Sequence, residues 1–277
     1  MSYTKEWIMR VLIAGAVLGV LLVVTISADA RQRGDQERMW QQTEVTDTET
    51  TTSSQREGRR SRWNDNTGGD NTGGGDTGGD GSSSSQGTIY DYGPNQLILY
   101  EASNPAGAVV VIHGRGLGCC DGWFASLAQS FADNGLTAAS IDYSEETWRE
   151  DADAAITWLR GRVPSGTPIG LWGSSFGGII ALAKGLDASN DIAGTVSVSG
   201  PIFPDHFDLI SSGSSPTYLL YARRDSIAPI ADARELYAAL RDAEVEAKLV
   251  EYYCCHATKD TALTAQAITW LKNILTQ

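Results

Sequence analysis

Residues 88–277 predict an α/β fold, a three-layer α/β/α sandwich built on a mostly parallel sheet. Three observations carry that reading. Short apolar runs rich in β-branched residues alternate with longer segments of helical period. The central runs are apolar throughout rather than every second residue, as strands covered on both faces are. The regular succession of strand and helix is the pattern of parallel strands joined by crossover helices.

Taken in order, "TIYDYG" and "QLILYEAS" read as two opening strands, and "AVVVIHG" (108–114) as a buried one. A helix around Trp123 to Asn134 follows, ended by "NG", and "TAASIDYS" is the next strand. Between Thr147 and Arg162, Ala154, Ala155, Trp158 and Leu159 share one helical face. "PIGLWGSS" is a further buried strand that runs straight into a helix beginning "FGGIIALAKGL". Then come "IAGTVSVSG" and "TYLLYARRD" as strands, "ADARELYAALRDA" as a helix, "EAKLVEYY" as a strand and "TALTAQAITWLKNIL" as the closing helix. Sheets of this kind carry their sites at the carboxyl ends of the strands.

The first third of the chain has a different composition. Residues 1–30 hold Lys5 and Arg10, an uncharged apolar run from Val11 to Ile26, and "SADA" with its A-x-A cleavage pattern. This is an export signal, either cleaved or kept as a membrane anchor. Residues 31–87 are polar and include "DNTGGDNTGGGDTGGDGSSSS", which cannot build a core and reads as a disordered spacer. With Gly-rich statistics its root-mean-square span is about 40 Å. The expected protein is therefore exported, secreted or tethered by its N-terminal helix, and touches a membrane only through that segment. Residues 88–277 contain 12 Lys plus Arg and 22 Asp plus Glu, a formal charge of −10. That balance excludes a phosphate-backbone partner such as nucleic acid.

The chemistry is concentrated in "LWGSSFGGII". A buried strand enters Gly173-Ser174-Ser175-Phe176-Gly177 and continues directly as a helix, the context that a G-x-S-x-G turn requires. Ser175 is the candidate nucleophile, and the helix start behind it favours developing negative charge. A serine needs a base, and the base needs an orienting acid. Of the three histidines, His256 follows the last strand and so lies on the same sheet edge as Ser175. His113 in "VIHGRG" is read as a structural companion of its loop, and His206 in "FPDHFD" as solvated or lining a pocket. Asp225 in "LLYARRDSIAP" is the expected acid, with Asp205 as its rival. The backbone N–H groups of Phe176 and Arg115 are the expected oxyanion donors. Trp123, Phe176, Ile202, Phe203 and Ile227 flank strand ends and are candidates for a substrate pocket.

"HGRG", "GSSFGG", "DSIAP" and "CCHA", in this order and spacing, make the region resemble the α/β-hydrolase superfamily. The short connection between "VSVSG" and "TYLLY" leaves no room for a large cap, so the chain looks most like the compact dienelactone hydrolase-like members. The resemblance implies a Ser175–His256–Asp225 triad, no cofactor, no metal, and a small-molecule or acyl ester as substrate. Dienelactone hydrolases proper use a cysteine nucleophile where this chain has Ser175, which points to a serine esterase. A peptidase resembling the prolyl oligopeptidase catalytic domain, and a catalytically silent binding module at the cell envelope, are the alternatives.

All four cysteines fall in two adjacent pairs, Cys119-Cys120 and Cys254-Cys255. An even number in an exported chain suggests disulfides. The expectation is at least one bridge joining the Arg115 loop to the His256 loop, with each pair closed on itself as the other possibility. A zinc site with His256 fits poorly, because structural zinc ligands are normally spaced C-x2-4-C.

Overall fold

A computed structural model describes residues 87–277; the expectations for residues 1–30 and for all but the last residue of the 31–87 spacer lie outside the described residues. Eight strands form one sheet: β1 (Thr88–Tyr92), β2 (Asn95–Tyr100), β3 (Gly107–Ile112), β4 (Leu136–Ile141), β5 (Ile169–Ser174), β6 (Gly194–Val198), β7 (Thr217–Ala222) and β8 (Ala247–Tyr252). Their order across the sheet is β1-β2-β4-β3-β5-β6-β7-β8. β1 and β2 form an antiparallel hairpin, β2 pairs antiparallel with β4, and every later pair is parallel. Among the described residues six α-helices accompany them: α1 (Gly122–Asp133), α2 (Trp148–Arg160), α3 (Phe176–Leu186), α4 (Pro204–Asp208), α5 (Ile230–Asp242) and α6 (Thr261–Leu275). The three-layer α/β sandwich is the fold that the sequence pattern predicts.

The strand period of two separates the core into layers. Val109 and Val111 of β3 face one way and pack with Phe124, Leu127 and Phe131 of α1 and Ile268, Leu271 and Leu275 of α6. Ala108, Val110 and Ile112 face the other way, onto Ala152, Ile156 and Leu159 of α2 and Ile180 of α3. A third cluster joins Leu182 and Leu186 of α3 to Leu236 and Leu240 of α5 over β7. Strands β3 to β7 are thus covered on both sides, which is why they read as unbroken apolar runs.

From β3 the chain crosses through α1 to β4 on one side, then through α2 to β5 on the other. The carboxyl ends of β3 and β5 therefore lie at a topological switch point, where open α/β sheets bind their ligands. Three elements differ from the sequence reading. α4 and a 3-10 turn at Ala188–Asn190 are too short to leave a periodic apolar signal; α4 is set by Pro204 at its first turn. The third strand ends at Ile112, so His113 and Gly114 belong to the loop that follows.

Candidate active site

Ser175 joins β5 to α3 in a backbone conformation that few L-residues adopt, φ +54° and ψ −119°. The turn is held on both sides. Its N–H donates to the Val198 carbonyl at 2.9 Å, and its own carbonyl accepts from the Gly178 N–H at 2.8 Å. A methyl group at residue 173 would overlap the Gly177 carbonyl, and one at 177 would overlap the Ile112 and His113 carbonyls. Glycine at these two positions is a condition for so sharp a turn between packed strands. The strain is the kind that neighbouring structure maintains at functional sites.

The structure brings His256 and Asp225 to this serine. His256 Nε2 lies 2.7 Å from Ser175 Oγ, and His256 Nδ1 lies 2.7 Å from Asp225 Oδ2. The Asp225 carboxylate is fully buried, while the imidazole remains 23% exposed. Asp225 Oδ1 accepts the N–H groups of Ile227 and Ala228 at 2.9 and 3.0 Å, leaving Oδ2 for the histidine. Those two amides fix the carboxylate and supply charge-assisted bonds that keep it aimed. Asp205, the rival acid, sits in α4, whose neighbour His206 is engaged in local structure.

Tyr252, the last residue of β8, anchors the histidine loop and escaped sequence reasoning. Its hydroxyl donates to the Cys255 carbonyl at 3.2 Å, accepts the Thr258 N–H at 3.0 Å, and lies 3.0 Å from Ser199 Oγ. One donor and two acceptor sites are thereby all used. Burial, the first cause, raises its pKa above the ordinary phenol value, so the proton that holds Cys255 stays in place. Ala257 completes the turn with φ +49°.

Gly114 lies against Ser175: a methyl there would come within 3.3 Å of Ser175 Cβ. The loop that starts at Arg115 therefore begins beside Ser175 Oγ. His113 is buried, with Nδ1 2.7 Å from the Gly114 carbonyl, Nε2 3.3 Å from Asp142 Oδ1, and its ring stacked on Tyr143. Asp142 Oδ1 also accepts the Cys119 N–H at 2.7 Å, and Ser140 Oγ donates to the Cys119 carbonyl at 2.7 Å. The end of β4 thus pins the loop at both of its turns. Tyr143 donates to the His113 carbonyl at 2.9 Å and stacks on Phe176, over which the Arg115 guanidinium sits at 5.3 Å. Arg115 also pairs with Glu145 at 3.0 Å. Asp142 and Tyr143 share the "SIDYS" run that reads as a strand, which is why neither stood out as a site residue.

The cysteines depart from expectation. Cys119 is bonded to Cys120, not to the histidine loop. Cys119 is buried, and its N–H and carbonyl are turned to Asp142 and Ser140, so the pair belongs to the Arg115 loop. Cys254 and Cys255 are exposed thiols with Sγ atoms 2.6 Å apart. Among the described residues no cluster of His, Cys, Asp and Glu suits a metal ion.

The pocket candidates separate in the same way. Trp123 is half-buried, edge-on to Phe124, with Lys259 of the histidine loop over its ring at 5.6 Å. Ile227 is exposed on the Asp225 loop, and Phe203 packs its ring near His206. Ile202 packs in the core with Leu182, Leu219 and Ala228 rather than standing open at the strand end. His206, expected in solvent or a pocket wall, is buried, and its Nδ1 accepts the Phe203 N–H at 3.0 Å. Burial, the dominant cause, lowers its pKa to about 4, so it is a neutral helix-start acceptor at neutral pH.

With this geometry in hand, the comparisons define the class. The dienelactone hydrolase family matches residues 128–263, a span that contains Ser175, Asp225 and His256. An esterase of Pyrococcus furiosus, Pf2001, superposes with a TM-score of 0.56 at 16% identity, over 69% of this chain and 91% of its own. Est2, a thermophilic esterase of the planctomycete Thermogutta terrifontis, gives 0.54 at 16% identity over 69% and 91%. Esterase Est22 gives 0.57 at 15% identity over 69% and 78%. At that identity the structural likeness establishes the α/β-hydrolase fold. No curated protein matches the sequence. The fold is that of an α/β-hydrolase, and residues 128–263 match the dienelactone hydrolase family.

Proposed function

We propose that the protein is a serine hydrolase of carboxylic esters, acting through an acyl-enzyme on Ser175. The observation that carries this reading is the unbroken relay from Asp225 Oδ2 through His256 to Ser175 Oγ, with both links at 2.7 Å. Nδ1–H donates to the carboxylate, so the lone pair of Nε2 faces the serine hydroxyl. Ser175 Oγ attacks the ester carbonyl as His256 takes its proton; His256 then returns that proton to the leaving alcohol. Water, deprotonated by the same imidazole, releases the acid and restores the serine.

The developing oxyanion is met by the N–H of Phe176, the first residue of α3, which has no acceptor within its own helix, and by the N–H of Arg115. Each such donor is worth roughly 3 to 4 kcal/mol at the transition state. The connection between β6 and β7 carries only the five residues of α4 as helix. Thermogutta terrifontis esterase 2 is known phosphonylated by cyclosarin and phosphoramylated by tabun, and organophosphorus reactivity is the test here also. The full-length chain should label with a fluorophosphonate at Ser175, with labelling lost in Ser175→Ala and slowed on the order of 10⁶-fold in His256→Ala. A folded sample that does not label, or that cleaves a peptide panel in preference to p-nitrophenyl esters, overturns the proposal.

The site of action proposed from the "VLIAGAVLGVLLVVTI" run and the spacer is outside the cytoplasm. None of the described helices is long and apolar enough to cross a membrane, so the N-terminal segment is the part to test. Cell fractionation with N-terminal sequencing of the mature chain should find exported protein, either starting after Ala30 or retained with the membrane. Intact chain in the cytosol alone would refute it.

A further inference from the structure

We infer that the loops following β3, β7 and β8 form an apolar rim with cations set into it, by which the protein docks on droplets of a water-insoluble aliphatic ester. The inference rests on the serine hydrolase reading above and gives it a substrate class. Four large apolar side chains stand exposed among the described residues: Ile89, Leu117, Ile227 and Tyr253. Ile89 lies in β1, at the edge of the sheet farthest from β8. The other three lie two residues beyond Arg115, two beyond Asp225 and three before His256, on the loops that carry the proposed oxyanion donor, acid and base. Isolated exposed apolar residues are ordinary, but their gathering on adjoining loops around one site marks an interaction face.

Contacts between cations and aromatic rings join these loops into one face. Arg224 of the β7 loop lies over the Tyr253 ring of the β8 loop at 4.7 Å, and Lys259 reaches from the β8 loop over Trp123, at the start of α1, at 5.6 Å. Arg115 over Phe176 ties the β3 loop to the elbow. Arg224 and Lys259 are exposed, and neither pairs with a carboxylate among the described residues. The acidic side chains of the same three loops are turned to backbone amides instead: Asp121 accepts from Trp123, Asp225 from Ile227 and Ala228, and Asp260 from Leu263. Residues 88–277 carry a formal charge of −10, yet these loops offer apolar side chains and unpaired cations to solvent.

What covers such a face must leave Ser175 working. A protein partner or a second copy seated across all three loops would close the serine off, whereas an ester surface brings its carbonyl groups to it. The cations fit the same occupant. Each turnover at a droplet consumes one water, releases one alcohol and leaves one carboxylic acid, ionised at neutral pH, among the unreacted esters, so the droplet gains the negative charge that Arg224 and Lys259 face. Aromatic and basic side chains set among aliphatic ones are the composition of surfaces that rest on a boundary between lipid and water. Covering one large apolar side chain that is now half exposed is worth about tenfold in affinity.

The test compares the full-length chain with Leu117→Ser/Tyr253→Ser on p-nitrophenyl acetate in solution and on tributyrin as an emulsion. Ile227 is left unaltered because its N–H holds Asp225. The double substitution should slow hydrolysis of the emulsion about 10-fold to 100-fold, while kcat and KM for the dissolved ester stay within about twofold and the thermal midpoint is nearly unchanged. Leu117→Met/Tyr253→Phe, which keeps the surface apolar, should retain the wild-type ratio of the two rates. Equal losses on both esters, or a Ser/Ser variant that hydrolyses the emulsion as the wild type does, overturn the inference. The occupant is identified with the Ser175→Ala chain, with and without the two Ser substitutions, by flotation with trioctanoin droplets or phosphatidylglycerol vesicles and by sedimentation velocity without either. Rim-dependent recovery with droplets supports the inference; stronger rim-dependent recovery with vesicles, or a dimer that the substitutions dissociate, overturns it. Rim-dependent flotation of a protein that does not label with fluorophosphonate at Ser175 refutes the hydrolase reading and supports the docking face alone. Labelling at Ser175 without rim-dependent action on droplets refutes the docking face alone.

Discussion

Ser175 and His256 meet at 2.7 Å, yet the two loops that carry them are built on different principles. Ser175 follows β5, deep in the sheet with β3 on one side and β6 on the other, and its turn leaves no space for a single added methyl at residues 173 or 177. His256 follows β8, the edge strand, in a loop where Tyr253 is 69% exposed and both cysteines face solvent. Close packing fixes Ser175, whereas a few hydrogen bonds fix His256. The difference teaches where this site can be broken and where it can be tuned: changes at the elbow act through the core, and changes at the histidine loop act chiefly through positioning.

The largest expected effect ignores that distinction. Asp225→Asn keeps the shape but presents an amide where the Nδ1–H needs a carboxylate, and kcat should fall on the order of 10⁴-fold with little change in KM. Steady-state kinetics on a short ester check it. Gly177→Ala separates the two loops, because its methyl would overlap the Ile112 and His113 carbonyls. Backbone cannot move aside as a side chain can, so the variant should lose roughly 3 kcal/mol of stability as well as activity. Urea denaturation beside fluorophosphonate labelling reads both. A stable, fully reactive Gly177→Ala protein would mean that the elbow is looser than its packing indicates.

Tyr252→Phe makes the complementary cut on the base side. It removes the hydroxyl that serves Cys255, Thr258 and Ser199 without disturbing the packing of the ring. We expect kcat to drop about 10-fold to 100-fold, with a stability loss of roughly 1 to 3 kcal/mol for the partners left without a bond. The ratio of activity loss to stability loss should exceed that of Gly177→Ala. Equal ratios would erase the contrast between the loops.

The same contrast explains how much was legible in the sequence. Buried parallel strands announce themselves as runs such as "AVVVI" and "YLLYA", and the elbow is contiguous, so Ser175 and the order Ser175, Asp225, His256 could be read directly. Asp225 and His256 followed from strand ends, since every parallel strand delivers its successor loop to one edge. What failed was orientation. Ile202 and His206 follow a strand end as Ile227 does, yet the first two turn inward and Ile227 turns out, and a linear pattern does not encode which way a loop side chain points. Tyr252 and Asp142 were invisible because each acts through a single polar atom across the fold, from positions that look like ordinary strand and loop. The cysteine pairing depended on loop conformation in the same way. Two loops that approach one site need not approach one another closely enough for sulphur to bridge them.

The smallest effect is conditional on pH and concerns the elbow side. His206 reaches α3 through the Ile179 backbone and has its pKa lowered to about 4, chiefly by burial; an unfolded histidine titrates near 6.5. Between those values the unfolded chain binds a proton that the folded chain refuses, so stability falls as pH drops from about 6.5 towards about 4, after which this contribution levels off. At pH 5 the loss attributable to His206 is about 2 kcal/mol. His206→Asn retains an acceptor for the Phe203 N–H but does not titrate. It should be less stable than the wild type at pH 7 because of the volume it removes, and the gap should close by about that amount at pH 5. Urea denaturation at the two pH values measures it. Parallel losses in both proteins would mean that the acid sensitivity of the fold lies in other groups, and that the buried α3–α4 contact tolerates a charge that its surroundings should exclude.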